Sequence, residues 1–313
     1  MSGKVVIFGA KGRFGRAATR AFQKAGWQVR VLARSWSGVS EGEVEQVEGN
    51  AFNFEDLIKA AEGCDVIVNA LNPPYQKWVK DLPILTRNTI LAAKSSGATI
   101  MIPGNVYNYG EGKPSLQPFP QPLLMNEKTP MMPTSRKGRL RLEMENTYAQ
   151  TVGIRTIILR GGDFIERDKT GNWFDSQITA KIERNIIMYP GPLDRVHTWA
   201  YLPDMASALV GLAEKRDQFV PFEQFGFPGC AITGRELITQ IEKVADKKLK
   251  VKSMPWGVVR VLALVMPSMW EVAEMSYLWR IPHTIDGTKL QSVLPEMKTT
   301  PLDLVLADAL QGS

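Results

Sequence analysis

Three glycines near the start of the chain have the spacing of a phosphate-binding turn. Gly9, Gly12 and Gly15 follow the short apolar run Lys4–Phe8 and precede a helical pattern. Glycine lets the backbone approach an anion closely, and a helix N-terminus offers free N–H groups at the positive end of its dipole. A second apolar strand at residues 29–32 makes the pattern more specific than the glycines alone. We predict that this turn holds the pyrophosphate of a dinucleotide; a glycine turn that only packs a strand against a helix is the alternative.

The residue at the end of the second strand distinguishes two dinucleotides. NAD sites usually place Asp or Glu there, about twenty residues past the glycines, to accept from the ribose 2′-OH. This chain has Ala33-Arg34 at that point and no acid nearby. The planar guanidinium of Arg34 can pair with a 2′-phosphate, and Lys11 and Arg13 add positive charge in the glycine turn. The sequence therefore favours NADP over NAD, although a solvated Arg34 at a strand end would look the same.

The elements that position these residues alternate in the N-terminal half. Residues 65–71 form a near-continuous apolar run, as expected for a parallel strand buried on both faces. The alternation of strands and helices predicts an α/β fold, a doubly wound parallel sheet of Rossmann type with a smaller C-terminal substrate lobe. The predicted parts are an NADP-binding Rossmann domain at 1–163, a substrate-lobe insertion at 164–201, a return to the sheet at 202–227 and the C-terminal substrate lobe at 228–313.

Composition excludes several other classes of protein. The chain has 313 residues, of which 44% are hydrophobic and 22% charged, which is ordinary for a globular protein. The net charge of +6 is spread along the chain, and its densest cluster, residues 247–252, alternates like one exposed strand face. Two histidines and two cysteines without ligand spacing predict no metal site. Because the positive charge is spread along the chain and not concentrated in one patch, we expect no nucleic-acid partner.

Two further stretches bear on location and substrate. The apolar residues 258–266 lie between Pro255 and Pro267 and contain Arg260, so they are too short to span a bilayer. The first apolar run is a strand rather than a signal peptide. These features predict a cytoplasmic protein without a membrane partner. The loop at residues 103–133 is longer than a structural connection requires, which is typical of a lid or substrate loop.

Beyond the glycine turn, the chain resembles the extended short-chain dehydrogenase/reductase superfamily, and more closely its atypical epimerase/dehydratase-like members. The matching segments cover nearly the whole length; besides the turn they are the strand at 65–71 entering Asn72-Pro73, residues 106–110, residues 126–130, Arg160 and residues 199–204. The resemblance implies hydride transfer at a bound nicotinamide. Residues that we predict to contact the cofactor are Gly9, Lys11, Gly12, Arg13, Phe14, Gly15, Arg34, Asn50, Ala70, Leu71, Asn72 and Arg141.

The catalytic signature of that superfamily is altered in this chain. The superfamily carries Tyr-x-x-x-Lys on a long helix, where Tyr exchanges a proton with the reacting oxygen and Lys binds the nicotinamide ribose. Here Pro133, Gly138 and Glu145 keep the frame, but Lys137 stands at the Tyr position and Arg141 at the Lys position. The Ser or Thr partner of the superfamily is also missing.

The two substitutions have a chemical and a structural interpretation. Arg141 can still donate to ribose hydroxyls, and its like charge would disfavour the ammonium form of Lys137. An amine with a lowered pKa can act as a general acid/base, so Lys137, Asn105 and Tyr107 are the groups predicted to face the reacting oxygen. Tyr109 could supply a phenol instead. In the alternative interpretation, Lys137, Arg139 and Arg141 form a solvated basic helix face.

Three other polar residues are weaker candidates. His197 precedes residues 199–204, but a lone histidine is more often a hydrogen-bonded structural residue. Asp163 follows a strand near the expected cleft and could equally stabilise a turn. His283 has no partner in sequence.

The sequence as a whole predicts an NADP-dependent oxidoreductase acting on a carbonyl or alcohol carbon. A nucleotide-sugar epimerase or dehydratase and a non-catalytic NADP-sensing regulator are the alternatives. The predicted partner is a small molecule, partly apolar because Trp and Met are frequent in the lobe. A homodimer formed by the helices near residues 82–95 and 135–150 is a further expectation.

Overall fold

The computed structural model describes residues 3–35, 44–111 and 122–311, without the side chains at 267 and 268. The strands, in chain order, are β1 (Lys4–Phe8), β2 (Gln28–Ala33), β3 (Glu45–Glu48), β4 (Val66–Asn69), β5 (Thr99–Gly104), β6 (Leu123–Met125), β7 (Thr156–Arg160), β8 (Asp163–Ile165), β9 (Ile186–Tyr189), β10 (Val196–Tyr201), β11 (Phe222–Gly226), β12 (Cys230–Thr233), β13 (Lys250–Ser253) and β14 (His283–Ile285).

Ten α-helices lie between or after these strands in the described part of the chain. They are α1 (Arg13–Lys24), α2 (Phe54–Ala61), α3 (Trp78–Ser96), α4 (Arg136–Gln150), α5 (Leu202–Glu214), α6 (Gly234–Ala245), α7 (Trp256–Ala263), α8 (Pro267–Glu274), α9 (Thr288–Val293) and α10 (Leu302–Gln311). Short 3₁₀ turns lie at Tyr75–Lys77, Tyr107–Tyr109, Ile182–Arg184, Arg216–Gln218 and Met275–Tyr277, and a π-turn at Phe174–Ile178. Among the described residues, no helix combines the length and the apolar character needed to cross a bilayer.

Seven parallel strands form the central sheet, in the order β11-β7-β5-β4-β1-β2-β3. The chain moves outward from β1 through β2 to β3 and then returns to the other side of β1 with β4, which is the doubly wound arrangement. The order reverses between β1 and β4, and ligands of such sheets bind at the carboxyl ends of the strands at this point. The predicted fold class is confirmed.

Both faces of the sheet are covered, which explains why its central strands are almost continuously apolar. Helices α1 and α5 pack together over one face, and α2, α3 and α4 cover the other. Along β1, successive side chains alternate between the two layers: Val5 and Ile7 join the α1 side, whereas Val6 and Phe8 join the α2 side. All four are fully buried.

The lobe over the carboxyl ends is built from short strands with a separate aromatic core. Its strands pair as β12-β10-β8, β13-β9 and β14-β6. The residues of β13 are all exposed, in agreement with the interpretation of this lysine-rich segment as solvated. Part of the long loop after β5 becomes β6, which pairs with β14, while its residues 112–121 lie outside the described residues.

A buried ion pair joins α4 to the sheet. The guanidinium of Arg160, at the end of β7, donates to both carboxylate oxygens of Glu145 on α4, at 3.1 and 2.7 Å. The same guanidinium donates to the carbonyl of Asn105 at 2.7 Å and to the side-chain oxygen of Gln224 on β11 at 2.8 Å. One side chain therefore fixes α4, the loop after β5, and two strands relative to each other.

We expect Arg160→Met to destabilise the protein by about 3–5 kcal/mol, because it leaves the Glu145 carboxylate buried without its cation. Urea denaturation followed by far-UV circular dichroism measures the change in free energy of unfolding. Arg155→Met, just before the same strand at an exposed position, is the matched control and should cost about 1 kcal/mol or less. Equal losses in the two variants would contradict the structural importance of the pair.

Candidate functional site

A cavity of about 1130 Å³ opens at the carboxyl ends of the central strands. It is lined by the segments after β1, β2, β4 and β5, by α4, and by residues of the lobe. Fourteen of the fifteen predicted site residues line it: Gly9, Lys11, Gly12, Arg13, Phe14, Arg34, Asn50, Ala70, Leu71, Asn72, Asn105, Tyr107, Lys137 and Arg141. Gly15, predicted to contact the cofactor, does not line the cavity but packs beneath the turn.

The glycine turn leaves space that side chains would fill. Gly9 has a φ of 82°, and a Cβ there would lie 2.7 Å from the carbonyl oxygen of Ala70. A Cβ at Gly15 would lie 2.2 Å from the carbonyl of Gly9, so this glycine lets α1 start directly against β1. The N-cap residue of α1 is Gly12, which has no side chain to cap the helix. The turn therefore fits a pyrophosphate, because the backbone can approach it and the first N–H groups of α1 are not used by a cap.

Two cations lie on the cavity wall near the end of β2, one from the segment after β2 and one from the glycine turn. Arg34 is exposed there, and Lys11 Nζ lies 3.4 Å from Ser35 Oγ. The described acidic residues on the cavity wall are Asp81, Asp163 and Glu271, which belong to α3, β8 and α8 rather than to this end. Both side chains can therefore contact an anion bound at this end of the cavity.

Arg13 connects the glycine turn to the lobe. Its guanidinium donates to the carbonyl of Thr170 at 3.0 Å, and its Nε lies 3.9 Å from a carboxylate oxygen of Glu166. Arg13 lines the cavity, yet its described contacts hold the lobe against the turn. The predicted contact between Arg13 and the cofactor remains a prediction.

Arg141 projects from α4 to the loop after β4. Its Nη2 donates to Asn72 Oδ1 at 3.1 Å, and its guanidinium lies 4.4 Å from the centre of the Trp78 ring. Burial lowers the pKa of Arg141. Its buried Nε has no hydrogen-bond partner within the described residues. An unsatisfied donor on the cavity wall fits a bound hydroxyl or phosphate oxygen.

Lys137 occupies a largely apolar position at the second residue of α4, whose N-terminus is capped by Ser135. Its Nζ donates to the carbonyl of Glu271 at 3.1 Å and lies 4.0 Å from the carboxylate of that residue. The ammonium also lies 3.7 Å from the centre of the Tyr75 ring.

Lys137 is buried, so the interpretation of Lys137, Arg139 and Arg141 as a solvated basic helix face is wrong. Of these three basic residues, only Arg139 is exposed.

Burial lowers the pKa of Lys137 to about 8, and the nearby carboxylates of Glu271 and Glu274 oppose this shift. The direction of this pKa shift agrees with the expectation from the sequence. Its cause differs from that expectation, because burial and not like charge from Arg141 lowers the pKa of Lys137. Loss of hydration decides the shift here.

Tyr107 and Asn105 lie on the loop that faces α4. Asn105 Oδ1 accepts from the backbone N–H of Tyr107 at 3.0 Å and so shapes this loop. A Cβ at Gly138 would lie 2.4 Å from the carbonyl oxygen of Tyr107, so the glycine permits α4 to contact the loop directly. Burial raises the pKa of Tyr107 well above its usual value, which keeps the phenol protonated.

Tyr109 is directed away from the cavity. Its hydroxyl donates to the carbonyl of Asn126 at 3.1 Å, and the guanidinium of Arg160 lies 5.4 Å from the centre of its ring. The residue is 3% exposed and does not line the cavity. Tyr109 therefore packs under the loop and does not offer its phenol to a ligand in the cavity.

Three cavity residues that contact Lys137 or Arg141 were missed in the sequence. Tyr75 and Trp78 follow the loop after β4, and their nearness to that loop was an available signal. Glu271 comes from α8, more than one hundred residues beyond Lys137. Only the folded lobe brings its carboxylate to the amine.

The two histidines belong to the aromatic core of the lobe. His197 Nε2 lies 2.7 Å from Asp163 Oδ2, and its ring stacks on Trp279 with centroids 4.2 Å apart. His283 contacts His197 edge-on at 4.6 Å, so it does have a partner in the fold. Burial lowers the pKa of His283 to about 4. Asp163 also lines the cavity, and His197 fixes the orientation of its carboxylate.

The comparisons with known proteins agree with this geometry. A family model described as NAD(P)H-binding matches residues 9–173, from the glycine turn into the lobe and over more than half of the chain. A search of curated protein sequences finds no significant match.

Solved structures of similar fold cover nearly the whole chain. UDP-N-acetylglucosamine 4-epimerase from Bacillus cereus is 17% identical with a TM-score of 0.74, and 99% of each chain is covered. UDP-glucose 4-epimerase from Brucella ovis, in complex with NAD, is 16% identical with a TM-score of 0.74, covering 99% of this chain and 98% of that one. MoeE5 in complex with UDP-glucose and NAD is 16% identical with a TM-score of 0.75 and the same coverage.

These likenesses confirm the resemblance in fold to extended short-chain dehydrogenases/reductases and nucleotide-sugar epimerases. Because the family model begins at the glycine turn that lines the cavity, sequence and structure identify the same binding region. The chain belongs to the NAD(P)H-binding family.

Proposed function

We propose that the protein is an NADP-dependent oxidoreductase of extended short-chain type, in which Lys137 replaces the usual tyrosine as acid/base. The observation that carries this proposal is the buried Lys137 amine on the cavity wall, with a pKa lowered to about 8. A general acid/base works best when its pKa is near the operating pH. An ordinary solvated lysine would not meet that condition.

Three parts of the cofactor are each bound by different groups of the chain. The glycine turn and the N-terminus of α1 hold the pyrophosphate, Arg34 and Lys11 hold the 2′-phosphate, and Arg141 donates to the nicotinamide ribose. When bound, the nicotinamide supplies or accepts a hydride at its C4. The arrangement places Lys137 and Arg141 one helical turn apart on α4, so both can face the same end of the cofactor.

Lys137 moves the proton that accompanies the hydride. In carbonyl reduction, the ammonium donates a proton from Nζ to the forming alkoxide oxygen; in alcohol oxidation, the neutral amine accepts it. The carboxylate of Glu271, 4.0 Å away, stabilises the ammonium against burial and keeps the amine from being permanently neutral. The phenol of Tyr107 stays protonated and donates a hydrogen bond to the same oxygen.

The substrate end of the cavity favours a partly apolar compound. Its wall there includes Trp173, Val272 and Met275, beside Tyr75. These side chains exclude water from the amine and strengthen its electrostatic interactions. A carbonyl or alcohol compound with an apolar substituent fits this lining.

One specific observation favours a second candidate, a non-catalytic NADP-sensing protein. Lys137 Nζ already donates to the carbonyl of Glu271 at 3.1 Å, so the amine is engaged within the protein. A nucleotide-sugar epimerase is less well supported, because it needs the tyrosine base that this chain lacks. Transfer of label from deuterated NADPH to a panel of aldehydes and ketones distinguishes the enzyme, which transfers it, from the sensor, which does not.

Arg34→Asp should reverse the cofactor preference. NADPH should bind more tightly than NADH to the unchanged protein, since Arg34 pairs with the 2′-phosphate; the aspartate removes this pair and adds repulsion. Calorimetric titration with both cofactors measures the two affinities. Lys94→Asp, an exposed position on α3 away from the cavity, is the matched control and should keep the original order. Equal affinities of the unchanged protein for both cofactors would exclude NADP selectivity by Arg34.

Lys137→Met should lower turnover roughly a hundredfold or more while leaving cofactor affinity nearly unchanged, as loss of a general acid/base does. The measurements are an NADPH titration and the rate of reduction of any carbonyl compound found active in the panel. Arg141→Met should instead weaken NADPH binding, because its expected contact is the ribose. Arg139→Met, an exposed position on the same helix, should change neither quantity. Full activity of Lys137→Met would transfer the proton role to Tyr107 or to water.

The pH profile provides an independent test of Lys137. The ammonium is the acid in reduction, so the rate of reduction should be level below pH about 8 and fall about tenfold per pH unit above it. Alcohol oxidation needs the neutral amine, so its rate should rise about tenfold per pH unit up to pH about 8 and be level above it. The steady-state rates are measured between neutral and alkaline pH. A reduction rate that is unchanged through this range would rule out Lys137 as the proton donor.

A further inference from the structure

An exposed apolar surface lies at the end of the hairpin formed by α7 and α8. We call this surface the hairpin tip; seven large apolar side chains, all exposed, form it within thirteen consecutive residues: Val258, Val261, Leu262, Leu264, Val265, Met266 and Trp270. Leu264 and Val265, in the turn between the helices, are 84% and 77% exposed. Isolated exposed apolar residues are normal, but a contiguous group of this kind marks an interaction surface.

Because the turn between α7 and α8 is so exposed, the hairpin tip protrudes from the protein and does not form a groove. Leu264 and Val265 contact little of their own protein, whereas Val259 on the opposite side of α7 is buried and anchors the helix. A protruding apolar tip can insert into the interfacial region of a lipid bilayer. A flat protein surface would cover it poorly, because such a surface would contact only the residues of the turn.

Basic residues accompany the tip along the chain, and two of them are paired with acids, Lys247 with Glu183 and Lys248 with Glu242. From residue 247 to residue 270 the chain contains five basic residues and no Asp or Glu: Lys247, Lys248, Lys250, Lys252 and Arg260. Lys250, Lys252 and Arg260 are exposed. Arg136, at the start of α4, also borders a small cleft with Leu264, Val265, Met266 and Trp270. Apolar side chains flanked by Lys and Arg are the composition that binds anionic lipid surfaces.

The tip is continuous with the cavity wall. On α8, Trp270 belongs to the tip, while the next residues, Glu271 and Val272, line the cavity. Gln76 and Glu271 border both the cavity and the small cleft beneath the tip. Whatever binds the tip therefore lies next to the position where Lys137 contacts Glu271.

We propose that the hairpin tip docks on the surface of a membrane containing anionic lipids. The apolar side chains enter the boundary between headgroups and acyl chains, the cations contact the headgroups, and neither helix spans the bilayer. This docking departs from the expectation, drawn from the sequence, of no membrane partner. It orients the cavity beside the lipid surface, which would give a lipophilic carbonyl compound a short path to Lys137; that last consequence rests on the proposed function.

A second copy of the chain is the competing occupant of the tip. A symmetric contact would bring the same basic segment from both copies together, with Arg260 of each copy near the interface. Like charges facing each other across an interface are unfavourable. An anionic membrane satisfies the apolar side chains and the cations at the same time.

Co-sedimentation with vesicles tests the docking. Vesicles of equal parts phosphatidylglycerol and phosphatidylcholine should bind the protein, and vesicles of phosphatidylcholine alone should bind it more weakly. A double variant, Leu264→Ser with Val265→Ser, should reduce binding to the anionic vesicles roughly tenfold or more, because it removes two of the most exposed apolar side chains. Arg260→Ser should reduce binding to anionic vesicles only, and added salt should have the same effect.

Val152→Ser with Val220→Ser is the matched control, since both valines are exposed, at 88% and 59%, and lie outside the hairpin. This variant should bind vesicles as the unchanged protein does, and far-UV circular dichroism of every variant verifies folding. Binding is measured without cofactor or substrate, so its failure is separate from failure of the proposed reaction. Vesicle binding that is absent, or unaffected by the double variant, overturns the proposal. So does a dimer mass by light scattering that the double variant converts to a monomer, because the tip would then bind a second copy.

Discussion

The buried contact between Arg160 and Glu145 is the constraint on which the site depends. Both side chains are almost fully buried, so each charge needs the other, and separating them is strongly unfavourable. The pair holds α4 at a fixed position over the sheet while Arg160 also binds the carbonyl of Asn105. The helix that carries Lys137 and the loop that carries Tyr107 are therefore positioned by one guanidinium, and the close approach at Gly138 completes their contact.

The environment of Lys137 is a balance between burial and charge. Dehydration favours the neutral amine, whereas Glu271, Glu274 and the face of the Tyr75 ring favour the ammonium. These influences come from two separate parts of the chain, since Tyr75 follows β4 and both glutamates belong to α8. The carboxylates that the lobe supplies therefore offset part of the cost of burying an ammonium at this position.

The lobe connects the cofactor region to the surface of the molecule. Its aromatic core, with His197 stacked on Trp279, supports β8 and orients Asp163 at the cavity. Its helix α8 contributes buried Glu271 on one side and exposed Trp270 on the other. Helix α8 therefore connects the hairpin tip to the residue that accepts a hydrogen bond from Lys137.

The sequence by itself determined the sheet, the glycine turn and the edge of the sheet where the cavity opens, because these depend on local patterns: apolar strands, glycines without Cβ atoms, and Arg34 at a strand end. It also located Lys137 and Arg141 through their fixed spacing from Gly138 and Glu145 on one helix. Only the tertiary structure decided that Lys137 is buried beside Glu271 and Tyr75, that Tyr109 turns inward, and that His283 contacts His197. These contacts join residues far apart in the chain, and neither side-chain burial nor the partner of a charge can be read from spacing alone.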